Sequence, residues 1–141
     1  MAFSVDPRIE TTSFFLQDWP LSRVFLKNEQ QYPWFILVPR TEKIHEIFQL
    51  DKDERSQLME EIHHLSLLVQ NFFKPDKLNI GALGNIVEQL HIHVVARRQQ
   101  DSLWPQGIWQ AAQSNIPYTE DYLEHFLPAM KALVSGKLKN E

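Results

Sequence analysis

The sequence predicts an α+β fold with an antiparallel sheet. Three observations predict it. In "EQLHIHVV", residues 88–95, polar and apolar side chains alternate with the period of a strand. Residues 51–73 repeat apolar side chains at helical spacing. The elements run strands, helix, strands, helix, which is the order of an α+β chain rather than of repeated βαβ units.

The elements follow in order. Residues 1–20 are mixed, ending in "DWPLS", and give no clear element. Residues 21–27 form a plausible strand, and "EQQYP" reads as a turn broken by Pro33. "WFILVP" is a continuous apolar run ended by Pro39, the pattern of a strand covered on both faces. The two strands and their short polar turn predict an antiparallel hairpin. In the long helix, Leu58, Ile62, Leu65, Val69 and Phe72 keep the 3.6-residue spacing, and Met59 and Leu68 widen the stripe. Asp51 caps it, Glu54 completes a capping box, and Pro75 stops it. "KLNIGAL" reads as a third strand and "VEQLHIHVVAR" as a fourth, with Gly81 and Gly84 bracketing the turn between them. The loop from residue 99 to 117 carries Trp104 and Trp109, two side chains that are expensive to leave in water. A last helix starts near Thr119, and Pro128 predicts a kink or break in it. A single domain spans residues 1–141, with the segment 99–141 packed on it.

Composition narrows the function. The chain has 141 residues, enough for one core. A net charge of -4 excludes the broad basic surface that extended nucleic-acid binding needs. With no cysteine, a disulfide framework, a thiolate nucleophile and a cysteine-ligated zinc are all excluded. "MAFSVDPRIE" has neither a basic n-region nor an apolar h-region, and no apolar run is long enough to span a bilayer. A soluble cytoplasmic protein, without a membrane partner, is expected.

In a strand, Gln89, His91 and His93 share one face, and Leu90, Ile92 and Val94 the other. Two imidazoles on one face have three readings. They are satisfied polar groups on a wet sheet face, or two ligands of a metal site, or the centre of nucleophilic catalysis. A metal needs a third ligand. No Asp or Glu follows on that face before Asp101, His63 and His64 fall on the polar side of the long helix, and His45 and His125 are isolated. For catalysis, a neutral imidazole attacks phosphorus near neutral pH, its unperturbed pKa being about 6.5. A second imidazole can donate to a phosphate oxygen or leaving group, and a turn rich in N–H groups and amides can hold the phosphate. "NIGALGNIVEQLHIH" contains all of these.

The stretch Gln89-Leu90-His91-Ile92-His93-Val94-Val95 resembles the signature of the histidine triad hydrolases and transferases, His-φ-His-φ-His-φ-φ with φ apolar. "WFILVP" ahead of a long helix resembles the family's strand leading into its first major helix. "LKNEQQYP" resembles the stretch in which an Asn or Asp contacts the ribose, and "GN" the phosphate-binding Gly-Gln turn. "ARRQQDSLWPQGIW" looks like a divergent bacterial branch. The resemblance covers about residues 20–98. One position departs: Gln89 stands where the first histidine belongs.

The resemblance implies a sheet of about five strands with two main helices, paired as a homodimer. It implies a nucleotidyl hydrolase or transferase acting on nucleoside 5'-phosphates that carry a leaving group, such as dinucleoside polyphosphates or phosphoramidates, without a cofactor. His91 maps to the nucleophile and His93 to the last histidine, which stabilises phosphate charge or assists the leaving group. Gln89 takes a supporting place. Gly84 and Asn85 would hold phosphate, Asn79 is a second amide candidate, and Asn28 would bind ribose. A nucleotide-binding regulator without turnover, and a metal-dependent protein using His91 and His93, are the alternatives.

Overall fold

The computed structural model describes residues 2–110 and 114–136, so the parts of the C-terminal segment at 111–113 and 137–141 lie outside the description. Five strands form one antiparallel sheet. They are β1 (Ser13–Asp18), β2 (Ser22–Lys27), β3 (Trp34–Pro39), β4 (Lys77–Gly81) and β5 (Ile92–Arg97), in the order β1-β2-β3-β5-β4. The expected hairpin is β2–β3. The expected third and fourth strands are β4–β5, with Gly84 in the left-handed region at φ 76° inside their connection.

Register decides which side chains share a face. Phe25 lies opposite Ile36, and Ile36 opposite His93. On the other face Leu26, Phe35 and Val94 form one row. That second face carries the main core: Val24, Leu26, Phe35, Leu37, Ile92, Val94 and Ala96 pack with Leu58, Leu65 and Val69 of the long helix α2 (Lys52–Phe73). Each fully buried Leu or Val contributes about 1.5–3 kcal/mol. Asp51 and Glu54 form the predicted capping box, with Glu54 N donating to the Asp51 carboxylate at 2.8 Å. The C-cap residue Lys74 turns left-handed at φ 49°, immediately before Pro75. Helix α3 (Glu120–Val134), capped by Thr119, closes the same core through Met130 and Val134.

Several expectations need correction. Residues 1–20 contain the short helix α1 (Pro7–Glu10) and the edge strand β1. A register shift between Phe15 and Gln17 breaks the alternation of β1, and so hides it from a period-2 reading. The fourth strand starts at Ile92, not at Val87, because Leu90 N donates to Ile44 O outside the sheet. Pro128 does not break α3, which runs on to Val134; the buried Met130 and Val134 beyond it hold the last turns against the core. Phe72, expected in the apolar stripe of α2, is 51% exposed, while Phe73 beside it packs on the core. His64 is half-buried, its ring 5.1 Å from that of Trp19. Glu61 on α2 is fully buried and accepts from Leu21 N and Ser22 N at 2.7 and 2.9 Å, tying the helix to the start of β2.

Candidate active site

The first sheet face, away from α2, is covered unevenly. Val5 and Ile9 of the N-terminal segment pack on Phe25, Ile36 and Val38. Ile108, with Leu103 and Trp109, packs on Val95 and Tyr32. Between the two covers lies a pocket of about 390 Å³ lined by His91, His93, Lys27, Arg8, Ile36, Gly84, Asn85 and Trp109, among others. Sheet periodicity and register thus bring both histidines to one opening, while Leu90, Ile92 and Val94 enter the core.

The two imidazoles are held by partners of opposite polarity. His91 Nδ1 lies 2.7 Å from the main-chain carbonyl of Gln89. A carbonyl oxygen only accepts, so Nδ1 carries the proton and Nε2 keeps its lone pair. His93 Nδ1 accepts the indole N–H of Trp34 at 2.9 Å. An indole N–H only donates, so neutral His93 carries its proton on Nε2. The rings pack edge to face, centroids 4.7 Å apart, and His93 also touches the rings of Trp34 and Trp109. Burial lowers the pKa of His91 from its ordinary value. Burial, then the nearby His91 and Lys27, push His93 down to about 3. Both rings are neutral at neutral pH.

The amide residues are distributed differently from expectation. Gly84 and Asn85 line the pocket. Gln89 precedes the strand, and its side chain is taken up by the N-terminal segment: its Oε1 accepts from Asp6 N at 2.7 Å and its Nε2 donates to Ser4 O at 3.0 Å. It anchors the N-terminal segment, because the chain at 89–91 has not yet entered the ladder. Asn28, expected at the ribose, accepts from Tyr118 N at 2.9 Å and is absent from the pocket wall. Asn79, expected as a phosphate amide, accepts from Arg97 Nη1 at 2.8 Å. Arg97 is itself buried at 1% exposure; it also binds Asp101 and Gln106 O and lies over the Tyr32 and Trp104 rings.

Two pocket residues escaped the sequence reading. Lys27, at the end of β2, donates to Thr12 Oγ1 at 2.9 Å and lies over the Trp34 ring. Its burial lowers its pKa. The only signal was a lysine closing an apolar strand. Arg8 is held by the Asp6 carboxylate and by Ile86 O. Its hydrogen bonds hold Asp6 down to about 2. Among the described residues no group of three His, Asp or Glu side chains is placed to hold a metal ion.

A HIT domain family model matches residues 8–100, from within α1 to just past β5. The chain belongs to the histidine triad (HIT) family. Solved histidine triad proteins agree along nearly the whole chain. One from Bradyrhizobium japonicum is 36% identical with a TM-score of 0.88, covering 95% of this chain and 99% of that one. One from Marinobacter aquaeolei VT8 is 35% identical with a TM-score of 0.87, covering 99% and 98%. One from Sinorhizobium meliloti 1021 is 33% identical with a TM-score of 0.87, covering 94% and 97%. No curated protein matches the chain by sequence. HIT membership places the chain in a superfamily of nucleotide-binding hydrolases and transferases. The HIT match includes Arg8, Lys27, Trp34, His91 and His93, whereas Trp109 lies outside it. Among the described residues no helix is long and apolar enough to cross a membrane.

Proposed function

We propose that this HIT protein is a nucleotidyl hydrolase or transferase acting at the α-phosphorus of nucleoside 5'-phosphate derivatives. The observation that carries the reading is the 2.7 Å contact between His91 Nδ1 and the Gln89 carbonyl, which leaves Nε2 unprotonated on a ring that lines the pocket. Nε2 attacks phosphorus, the N–P bond forms, and the bond to the leaving group breaks with its electron pair going to that group. Water then attacks the same phosphorus and loses a proton. The mononucleotide leaves, and His91 regains its lone pair.

The other pocket groups have supporting roles. His93 donates to the phosphoryl oxygens, where charge grows as the five-coordinate state forms. Gly84 and Asn85 hold further oxygens from the turn, and Lys27 and Arg8 balance the phosphate charge. Asn28 and Asn79 are assigned to the framework, because their carbonyl oxygens are engaged by Tyr118 N and Arg97. Family membership and three exposed apolar side chains of α2, Met59, Leu67 and Phe72, favour a homodimer. Light scattering at micromolar concentration tests that pairing.

The deciding experiment screens nucleoside phosphoramidates and dinucleoside polyphosphates, with His91→Ala as control. Turnover that disappears in His91→Ala, with nucleotide mass trapped on His91 in quenched wild-type reactions, supports the reading. Wild-type turnover rates in His91→Ala overturn it. Tight nucleotide binding without turnover on any substrate marks a regulator instead.

A further inference from the structure

The contact between Trp34 and His93 joins two residues 59 apart in sequence. Trp34 opens β3 and lies opposite Val95, and Ile36 lies opposite His93. The indole is therefore diagonal to the imidazole on the pocket face. Its N–H reaches Nδ1 at 2.9 Å. The Lys27 ammonium lies 5.5 Å from the Trp34 ring, on the side of β2. The arrangement occupies the nitrogen of His93 that would take a second proton and leaves the Nε2–H as its only donor.

We propose that Trp34 is a positioning residue for the second histidine: its indole N–H holds His93 as the neutral Nε2–H tautomer, which binds phosphoryl oxygens and delivers no proton to the leaving group. The inference rests on the proposed nucleotidyl chemistry for its catalytic meaning, but not for the tautomer itself. To protonate a leaving group, His93 would first have to be an imidazolium. That requires a proton on Nδ1, directed at the Trp34 N–H, and two donors facing each other repel. The titratable groups that act on His93, His91 and Lys27, work in the same direction. His91 precedes it and Lys27 faces it from β2; Arg8, at the same pocket, is paired with the Asp6 carboxylate, which acts on His91, and among the described residues no carboxylate lines the pocket. A neutral Nε2–H cannot be given away, because that would leave an imidazolate. The leaving group must therefore depart as an anion or take its proton from solvent or another group.

The test uses the full chain labelled with 15N and needs no substrate, so it stands even if the nucleotidyl reading fails. Expected are a bare Nδ1 and a protonated Nε2 on His93, assigned by their loss in His93→Ala. A through-hydrogen-bond 15N–15N coupling should link Nδ1 to the Trp34 indole nitrogen. In Trp34→Phe, which keeps a ring but loses the N–H, His93 should take up a proton at a higher pH than in the wild type. If a substrate is turned over, the kcat profile of that variant should differ from wild type mainly on the acid side, where His93 becomes protonated, with KM little changed. A proton on Nδ1 in the wild type, or identical His93 titrations in the two proteins, overturns the proposal. If Trp34→Phe does not fold, the wild-type tautomer and coupling decide by themselves.

Discussion

The main-chain carbonyl of Gln89 accepts the Nδ1 proton of His91 at 2.7 Å, while the side chain of the same Gln89 turns away to Ser4 and Asp6. The tautomer of His91 is thus set by backbone, which survives a side-chain substitution. Gln89→Ala should keep turnover within about tenfold of wild type and lower stability by about 1–2 kcal/mol, for one partly buried and one exposed hydrogen bond. Gln89→His should fold and change the rate or pH profile modestly. Steady-state kinetics with urea unfolding checks both. A folded Gln89→Ala as inactive as His91→Ala would make the side chain a catalytic partner.

The pH dependence follows from the two lowered histidines. His91 must be neutral to attack, and burial holds its pKa below the ordinary value. The activity plateau should therefore extend below about pH 6.5 before falling. For stability, the folded pKa of His93, about 3, lies below its unfolded value, near 6.5. The unfolded chain takes up the proton first. The stabilising contribution is present above pH 6.5 and is lost as pH falls from there toward 3. His93→Gln should flatten this loss in denaturant titrations across that range.

Lys27 lowers the pKa of both histidines by its charge and reaches the pocket from β2. Removing it should raise both pKa values and weaken phosphate binding. For Lys27→Ala we expect KM to rise by about tenfold or more, the range of a hydrogen bond to a charged group. Histidine titrations by NMR check the first effect without any substrate. Unchanged histidine titrations would place the Lys27 charge outside the site.

Arg97 joins β5 to the loop that carries Trp104 and Trp109. Its guanidinium binds Asp101, Asn79 and Gln106 O while buried at 1% exposure. Breaking such a pair typically costs about 3–5 kcal/mol. Arg97→Ala should fall in that range by chemical denaturation. Arg97→Lys should recover little, since an ammonium cannot reproduce the planar fork. A loss below 1 kcal/mol in Arg97→Ala would mean that the loop does not depend on it.

Legibility varied by element. The hairpin β2–β3 and helix α2 could be read because their signals are local: a turn, an apolar run, a capping box and a closing proline. Strand β1 could not, because its register shift breaks the alternation within six residues. The two histidines were legible as a pair. The polar partners assigned around them were not, since Asn28 and Asn79 are also suited to turns and strands, and only distant groups decide which bonds they make.

The sequence by itself determined that His91 and His93 point away from the core. A strand places successive side chains on opposite faces, and Leu90, Ile92 and Val94 had to be buried. It also determined the ends of α2, because caps and proline act within a few residues. Tertiary structure alone decided what each polar group meets. Trp34 reaches His93 only because β3 pairs with β5 in the register that sets Ile36 opposite His93. Gln89 reaches Ser4 and Asp6 only because the N-terminal segment crosses the same sheet face. A hydrogen bond needs its partners within about 3 Å. Between residues 59 or 83 positions apart, strand order and register set that distance, and no local pattern encodes it.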